Sequence, residues 1–321
     1  MYRNIKNNVF FYIVIIGLLL LISACGNESS EETNEDSAEN STENAEVTLN
    51  SEMGEVTIPT NADRVIAPYH EDALLALGIT PVAKWVIGSS VQDYLEEDLG
   101  DLPGIEWNLP LEQVLNHEPD LIILENALDS YEGTYDDYNK IASTYVMTEE
   151  VTKDWRKQVE LFGKLFGKES EAEEVLGDYE QQVEEASQQI EDAIGDESIA
   201  AIWVTGEQFY LFEQDRHSAN VFYNELGINQ PSLVTELGDA EAQWNPLSIE
   251  KLSELDADHV FLLAEEGEQG IELLENSNVW QSTPAAENGN VYRLNDPSNW
   301  TNQGLIASEQ TINDIVNMLV D

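Results

Sequence analysis

One short pattern occurs twice in this 321-residue chain, and it limits what the chain can fold into. Leu111-Glu112-Gln113-Val114 leads to Pro119-Asp120-Leu121-Ile122-Ile123-Leu124. Ile249-Glu250-Lys251-Leu252 leads to Ala257-Asp258-His259-Val260-Phe261-Leu262. Glu112 and Glu250 are 138 residues apart, and so are Asp120 and Asp258. Each copy reads as a short helix, an aspartate and a continuous apolar strand. A strand apolar on both faces belongs inside a parallel sheet covered by helices. A helix–Asp–strand unit is common in α/β proteins, but a repeat at fixed spacing argues for two similar lobes.

The rest of the chain fits that reading. Val65-Ile66-Ala67 reads as a buried strand, and Asp72 to Leu77 as a helix stopped by Gly78. Pro81-Val82-Ala83 begins a second strand, and Leu111 to His117 is helical. Ser198 to Val204, His259 to Leu263 and Val291 to Leu294 are further strands. Ala219 to Leu226 is a helix ending at Gly227, and Leu305 to Val320 is a closing helix. From about Asp154 to Ala193 the pattern is helical, with a break expected at Gly167. Trp155, Val159, Phe162, Leu165 and Phe166 form one apolar stripe before the break. The segment after it is mostly Glu and Gln, as expected of a helix bridging two domains. A surface helix of a single domain is the alternative. The predicted fold is α/β, with two lobes that each hold a mainly parallel sheet and one long rigid helix joining them. The expected divisions are a first lobe at 51–168, a linking helix at 169–196 and a second lobe at 197–321.

The N-terminus is of another kind. Arg3 and Lys6 precede an apolar run from Val9 to Ile22, then Ser23-Ala24-Cys25. Such an order marks a secretory signal, here residues 1–24. A cysteine just after the small residues resembles a bacterial lipobox. That resemblance implies cleavage before Cys25 and lipid on its thiol; an ordinary signal that contains a cysteine is the alternative. Residues 25–50 are almost wholly Asn, Ser, Thr, Glu and Asp, too polar to offset their ordering entropy, and are expected to form a disordered acidic tether. Cys25 is the sole cysteine, so no disulfide within the chain is available to hold the fold.

Sixty-four acidic residues face thirteen basic ones, for a net charge of −51. A field of that sign repels nucleic acid and anionic membrane surfaces. It suits a surface adapted to high salt, where the Debye length falls to about 3 Å at 1 M.

Three stretches carry a family resemblance. Val56-Thr57-Ile58-Pro59 is followed by Asp63-Arg64-Val65-Ile66. Asp72-Ala73-Leu74-Leu75-Ala76-Leu77-Gly78 runs into Ile79-Thr80-Pro81-Val82, and Leu111-Glu112 leads to Glu118-Pro119-Asp120-Leu121-Ile122. In this order, after a lipobox and tether, they resemble the substrate-binding lipoproteins of bacterial ABC importers, in the ferric-siderophore and vitamin B12 group. The resemblance covers about Gly54 to Asp321. It implies a cleft between the lobes, a cargo of ferric siderophore and a permease as partner. It also implies a monomer anchored by lipid on the outer face of the cell membrane, in a Gram-positive bacterium. A single stiff linking helix would permit only a small hinge motion.

The expected ligand contacts fall where loops leave the carboxyl ends of parallel strands. They are Tyr69, His70, Trp85, Trp203, Tyr210 and Trp244, with Trp300 after the last strand. Aromatic groups give a bulky chelate contact area, and their polar tips give directed hydrogen bonds. Core packing is the commoner role for any one aromatic, and Trp107, Trp155 and Trp280 are assigned to it. Arg216 and Arg293 add donors suited to the oxygens around ferric iron; pairing with neighbouring carboxylates is the alternative for Arg216. Arg64, just before a strand, is expected to be structural. So few cations favour a neutral or weakly charged hydroxamate chelate over ferric citrate or a triscatecholate. In the resembled family, one glutamate on each lobe docks to permease arginines, which points to Glu112 and Glu250.

Vitamin B12 and haem are the alternative cargoes. Of four histidines, His117 falls in a helix and His259 in a strand, and the two near loops, His70 and His217, are too few for a convincing metal site made by protein alone. A surface enzyme is the alternative of another class, but no G-x-S-x-G, HExxH or phosphate-loop pattern is present. No enzymatic activity and no cofactor beyond the lipid on Cys25 are expected.

Overall fold

The computed structural model describes residues 46–241 and 243–320. The expected signal, Cys25 and most of the tether lie outside the described residues. The tether was expected to run to Asn50, but its last residues form strand β1 (Glu46–Ser51), paired antiparallel with β2 (Gly54–Pro59). Val47 and Leu49 alternate with exposed Glu46, Thr48 and Asn50, which is the period of a half-buried strand. Ser51 closes the turn: its hydroxyl donates to the Gly54 carbonyl at 2.9 Å and accepts from the Met53 amide at 3.0 Å. The average composition of the tether concealed this alternation.

The first lobe continues with β3 (Val65–Ile66), β4 (Lys84–Val86), β5 (Gly104–Glu106), β6 (Leu121–Leu124) and β7 (Ser143–Val146). Strands β3, β6 and β7 lie side by side in that order, all parallel, while β4 and β5 form a separate parallel pair. All four residues of β6 are wholly buried, as an apolar run covered on both faces requires. The strand expected from Pro81 begins only at Lys84.

Two helices of this lobe matter for the site: α1 (Glu71–Ala76) and α2 (Leu111–Asn116). Helix α3 (Trp155–Phe166) follows, with Asp154 accepting from the Arg156 and Lys157 amides at its start. Its apolar stripe is buried, and it stops at Gly167, whose φ of 62° suits a residue without Cβ. Helix α4 (Glu169–Ile194) is 26 residues long, and its buried residues are Ala172, Tyr179, Ala186 and Ile190. That spacing is a narrow seam along one side, which explains why so polar a helix is stable here.

The second lobe has β8 (Ile199–Thr205), β9 (Gln208–Leu211), β10 (His259–Leu263) and β11 (Val291–Leu294). The sheet order is β11-β10-β8-β9, with β9 antiparallel and the other three parallel. Strand β9 was not expected; it is a hairpin return through Gly206, at φ 60°. The helix expected over Ala219 to Leu226 is a wider π-wound turn over Asn220–Glu225. A short helix α5 (Ile249–Leu252) precedes β10, as α2 precedes β6.

The closing helix α6 (Leu305–Leu319) belongs to the second lobe by sequence but packs on both α4 and α1. Asp72 of α1 accepts from the Ile306 amide at 3.1 Å and the Ala307 amide at 3.0 Å, satisfying the free N–H groups at its start. Tyr94 donates its hydroxyl to the same carboxylate at 3.0 Å. Nearby, Asn302 donates to the Val91 carbonyl at 2.8 Å, and the Tyr94 amide donates to the Ser298 hydroxyl at 2.9 Å. The lobes are therefore held by a hydrogen-bonded seam as well as by α4.

Candidate functional site

A cavity of about 530 Å³ lies between the lobes, where loops leave the carboxyl ends of the strands. Tyr69, Trp85 and Ile87 line it from the first lobe, and Trp203, His217 and Trp244 from the second.

The first-lobe wall is fixed from beneath. Tyr69 and Trp85 meet edge to face with centroids 5.2 Å apart. The Trp85 amide donates to Glu71 Oε1 at 2.8 Å, and its indole N–H donates to the Trp107 carbonyl at 3.3 Å. Glu71 is fully enclosed, and burial pushes its carboxyl up to about 7. Burial likewise raises the Tyr69 phenol to about 12, with Glu125 adding to the effect, so the phenol stays protonated and able to donate. Trp107, assigned to packing by sequence, is instead 46% exposed at the margin of this wall.

The second-lobe wall is an aromatic cluster. Trp203 lies 5.4 Å from both Tyr210 and Trp244 by ring centroid, and the His217 ring stacks on Trp244 at 5.8 Å. Tyr210 supports the cluster without itself lining the cavity. Burial, with Arg216 adjacent, lowers His217 to about 4, so it presents a neutral imidazole at ordinary pH. Tyr69 (φ 69°) and His217 (φ 46°) both hold left-handed backbone conformations, which non-glycine residues adopt mainly where the surrounding structure forces them.

Besides Tyr210, four further expected contacts lie off the lining. Arg216 is buried and held by both oxygens of Glu213, at 2.5 and 2.9 Å, with its guanidinium 4.3 Å from the Trp244 ring centroid. It braces Trp244 from behind and is not among the residues lining the cavity. His70 is buried between Gln158 and Glu125, each at 3.0 Å. Trp300 has no exposed surface; it packs on Phe222 and Phe261 and donates to Asp314 at 2.9 Å. Arg293 is exposed on edge strand β11, away from the cavity lining.

Sequence reasoning missed the acidic part of the lining: Asp93, Glu265, Glu268 and Asp296. Glu265 lies two residues past β10 and Asp296 two past β11, so their position was readable, but their type was lost among 64 acids. No Lys or Arg is among the described residues lining the cavity. Arg64 is structural as expected, donating to the His117 and Glu118 carbonyls at the end of α2. Glu112 and Glu250 are both exposed, each the second residue of its helix, in α2 and α5.

Comparison with known proteins agrees with this architecture. The chain is 26% identical to the iron(3+)-hydroxamate-binding protein YxeB of Bacillus subtilis over 323 residues, covering 98% of this chain and 97% of that one. It is 28% identical to the iron(3+)-hydroxamate-binding protein FhuD of the same organism, covering 90% and 89%. A solved FhuD-fold binding component of a ferrichrome ABC transporter from B. subtilis superposes with a TM-score of 0.71 at 25% identity, over 85% of this chain and all of that one. A profile of the periplasmic binding protein family matches residues 68–297, which is more than half of the sequence, and the chain belongs to that family of solute-binding proteins.

Proposed function

We propose that the chain captures a neutral or positively charged ferric hydroxamate siderophore in the cleft between Tyr69 and Trp85 on one side and Trp203 and Trp244 on the other. It then hands the chelate to an ABC importer permease. The observation that carries the charge class is the lining: aromatic surface from both lobes, four carboxylates and no cation among its described residues. An anionic chelate would meet like charge at close range with no counter-charge. A neutral trihydroxamate loses nothing electrostatically and gains stacking area from the indoles and a donor from the Tyr69 phenol. The relatives named for iron(3+)-hydroxamate binding support the same cargo.

The sequence around Cys25 supports lipid attachment there, with the tether carrying the binding body off the outer face of the membrane. The acidic surface supports work at high ionic strength. The matched, exposed positions of Glu112 and Glu250 support two-point docking to the permease. The wall supports assigning contact to Tyr69, Trp85, Trp203 and Trp244, with Tyr210 and Arg216 bracing the cluster.

Tryptophan-fluorescence titration in high salt tests the cargo. Saturable quenching by ferrioxamine or ferrichrome, and none by ferric citrate or a ferric triscatecholate, is the expected result. Binding of the anionic chelates alone would overturn the charge argument. Quenching only by haem or cobalamin would replace the cargo.

A further inference from the structure

A second cavity, of about 410 Å³, lies behind the cleft. His217 and Asn302 line both spaces, so these two side chains form a shared wall. The rear cavity is polar: Ser218, Asn220, Asn299, Ser308 and Thr311 contribute to its lining.

Its charged residues are already engaged. Arg156 is paired with Glu225 at 2.9 Å and Glu180 at 3.2 Å. Lys153 is paired with Glu149 at 2.5 Å. Asp154 caps α3, and Asp215 accepts from the Ala240 amide at 2.6 Å. Two adjacent groups are different. Ser218 is 2% exposed, and its hydroxyl has no hydrogen-bond partner among the described residues. His217 Nδ1 is buried and likewise without a partner among them. A buried polar atom left unpaired is costly, so two such atoms at one site favour a ligand that satisfies both. The hydroxyl can donate or accept, and a neutral imidazole nitrogen does one or the other by tautomer. With the surrounding charges committed to protein partners, neither cation nor anion would find a free counter-charge.

We infer that the rear cavity is a subsite for an uncharged, hydrogen-bonding arm, amide or hydroxyl, of the chelate held in the cleft, read by Ser218 and His217. This rests on the proposed cargo and adds a basis for choosing among hydroxamates. Chelates with the same iron core and no arm would fill the front cleft alone.

The test uses the full chain and two probes with the same three hydroxamates. One is ferrioxamine E, a closed ring without a free arm. The other is N-acetylated ferrioxamine B, whose free arm ends in a neutral amide. Ser218→Leu fills the rear cavity from a residue outside the cleft lining. The expected result is a loss of about tenfold or more for the acetylated probe, with ferrioxamine E unchanged within about twofold. Ser218→Ala, which removes the hydroxyl without adding bulk, should show the same selectivity at about three- to tenfold and serves if the larger variant fails to fold. Equal effects on both probes, or none on either, would overturn the subsite and leave the cargo standing. Wild-type protein that binds neither probe would overturn the cargo assignment, and the subsite with it.

Discussion

Asp120 and Asp258 make the same bond in the two lobes. Asp120 accepts from the Arg64 amide at 2.9 Å and the Asp63 amide at 3.1 Å, at the start of β3. Asp258 accepts from the Ser198 amide and the Ser198 hydroxyl, both at 2.8 Å, at the start of β8. Each carboxylate stands just before an inner strand of its sheet and grips the start of the neighbouring parallel strand. The contact fixes the register that pairs Val65 with Leu121 and Ile199 with His259. A one-residue slip would turn every buried side chain to the wrong face.

The two sites differ in exposure, which sets the first prediction. The Ser198 contact is partly buried and the Arg64 contact is exposed. Asp258→Ala should destabilise the protein by about 1–3 kcal/mol, and Asp120→Ala by about 1 kcal/mol or less, because water can replace the lost acceptor there. Denaturant midpoints in molar salt check this. A larger loss from Asp120→Ala would show that the matching positions do not carry matching roles.

The repeat made the two lobes legible because the helix–Asp–strand pattern uses local signals that tertiary context reinforces. The break at Gly167 was legible for the same reason: a glycine between an apolar stripe and a polar run stops a helix by backbone conformation alone. The walls of the cleft were readable only in part. Tyr69 follows β3 and Trp244 stands in a loop, while Trp85 and Trp203 lie inside β4 and β8; all four line the cavity, yet Trp300, past β11, is wholly buried. Its burial depends on Phe222 and Phe261, which the chain brings together only through the sheet and the π-wound turn. Arg216 left two roles open by sequence, ligand donor or partner of a neighbouring carboxylate, and the structure pairs it with Glu213, three residues away. The seam between the lobes was invisible, since Asp72 and Ile306 are far apart in sequence.

That distinction gives the second prediction. Trp203→Ala and Trp244→Ala should each weaken the chelate by more than about tenfold, as expected of aromatic anchors in a recognition site. Trp300→Phe should leave affinity unchanged and destabilise the fold by about 1–3 kcal/mol, through loss of the indole bond to Asp314. Titration and thermal unfolding on the same samples separate the two effects. A loss of affinity in a folded Trp300→Phe protein would return Trp300 to the site.

Glu71 predicts a pH dependence. Burial raises its carboxyl from 4.5 to about 7 in the folded protein, so folding favours the protonated form. The stabilisation linked to that proton is complete below pH 4.5 and is lost as pH rises through about 7. Glu71→Gln keeps an oxygen for the Trp85 amide and has no proton to lose. Its Oε2 has no hydrogen-bond partner among the described residues, so the exchange breaks no bond there. The variant should match wild type at acid pH and exceed it by about 1–3 kcal/mol near pH 8. Comparing the two proteins across pH removes the background repulsion of the other acids. A constant difference from pH 4 to 8 would show that Glu71 does not titrate in this range.

The charge balance predicts a response to salt. With a net charge of −51, repulsion among surface carboxylates opposes the compact state at low ionic strength. The melting temperature of the full chain should climb steadily as sodium chloride rises toward about 2 M, where screening shortens to a few ångströms. Sodium sulfate at equal ionic strength separates screening from general salting-out, since sulfate also strengthens apolar burial. A melting temperature indifferent to sodium chloride would sink the proposal of a salt-adapted surface.

Glu112 and Glu250 carry the last prediction. Both are exposed, both occupy the second position of a short helix, and each helix leads into an inner strand of its lobe's sheet. Neither lines the cleft or the rear cavity, so neither has a reason to alter the bound chelate. If they meet paired cations on a permease, the double substitution Glu112→Ala plus Glu250→Ala should abolish chelate uptake by cells while leaving titrated affinity within about twofold of wild type. Each single substitution should give partial loss, because the second contact still holds the body near the membrane. Charge reversal to Lys at both sites should be worse than alanine, since it adds repulsion to a lost attraction. Uptake that survives the double alanine change would move the docking surface to another part of the acidic exterior.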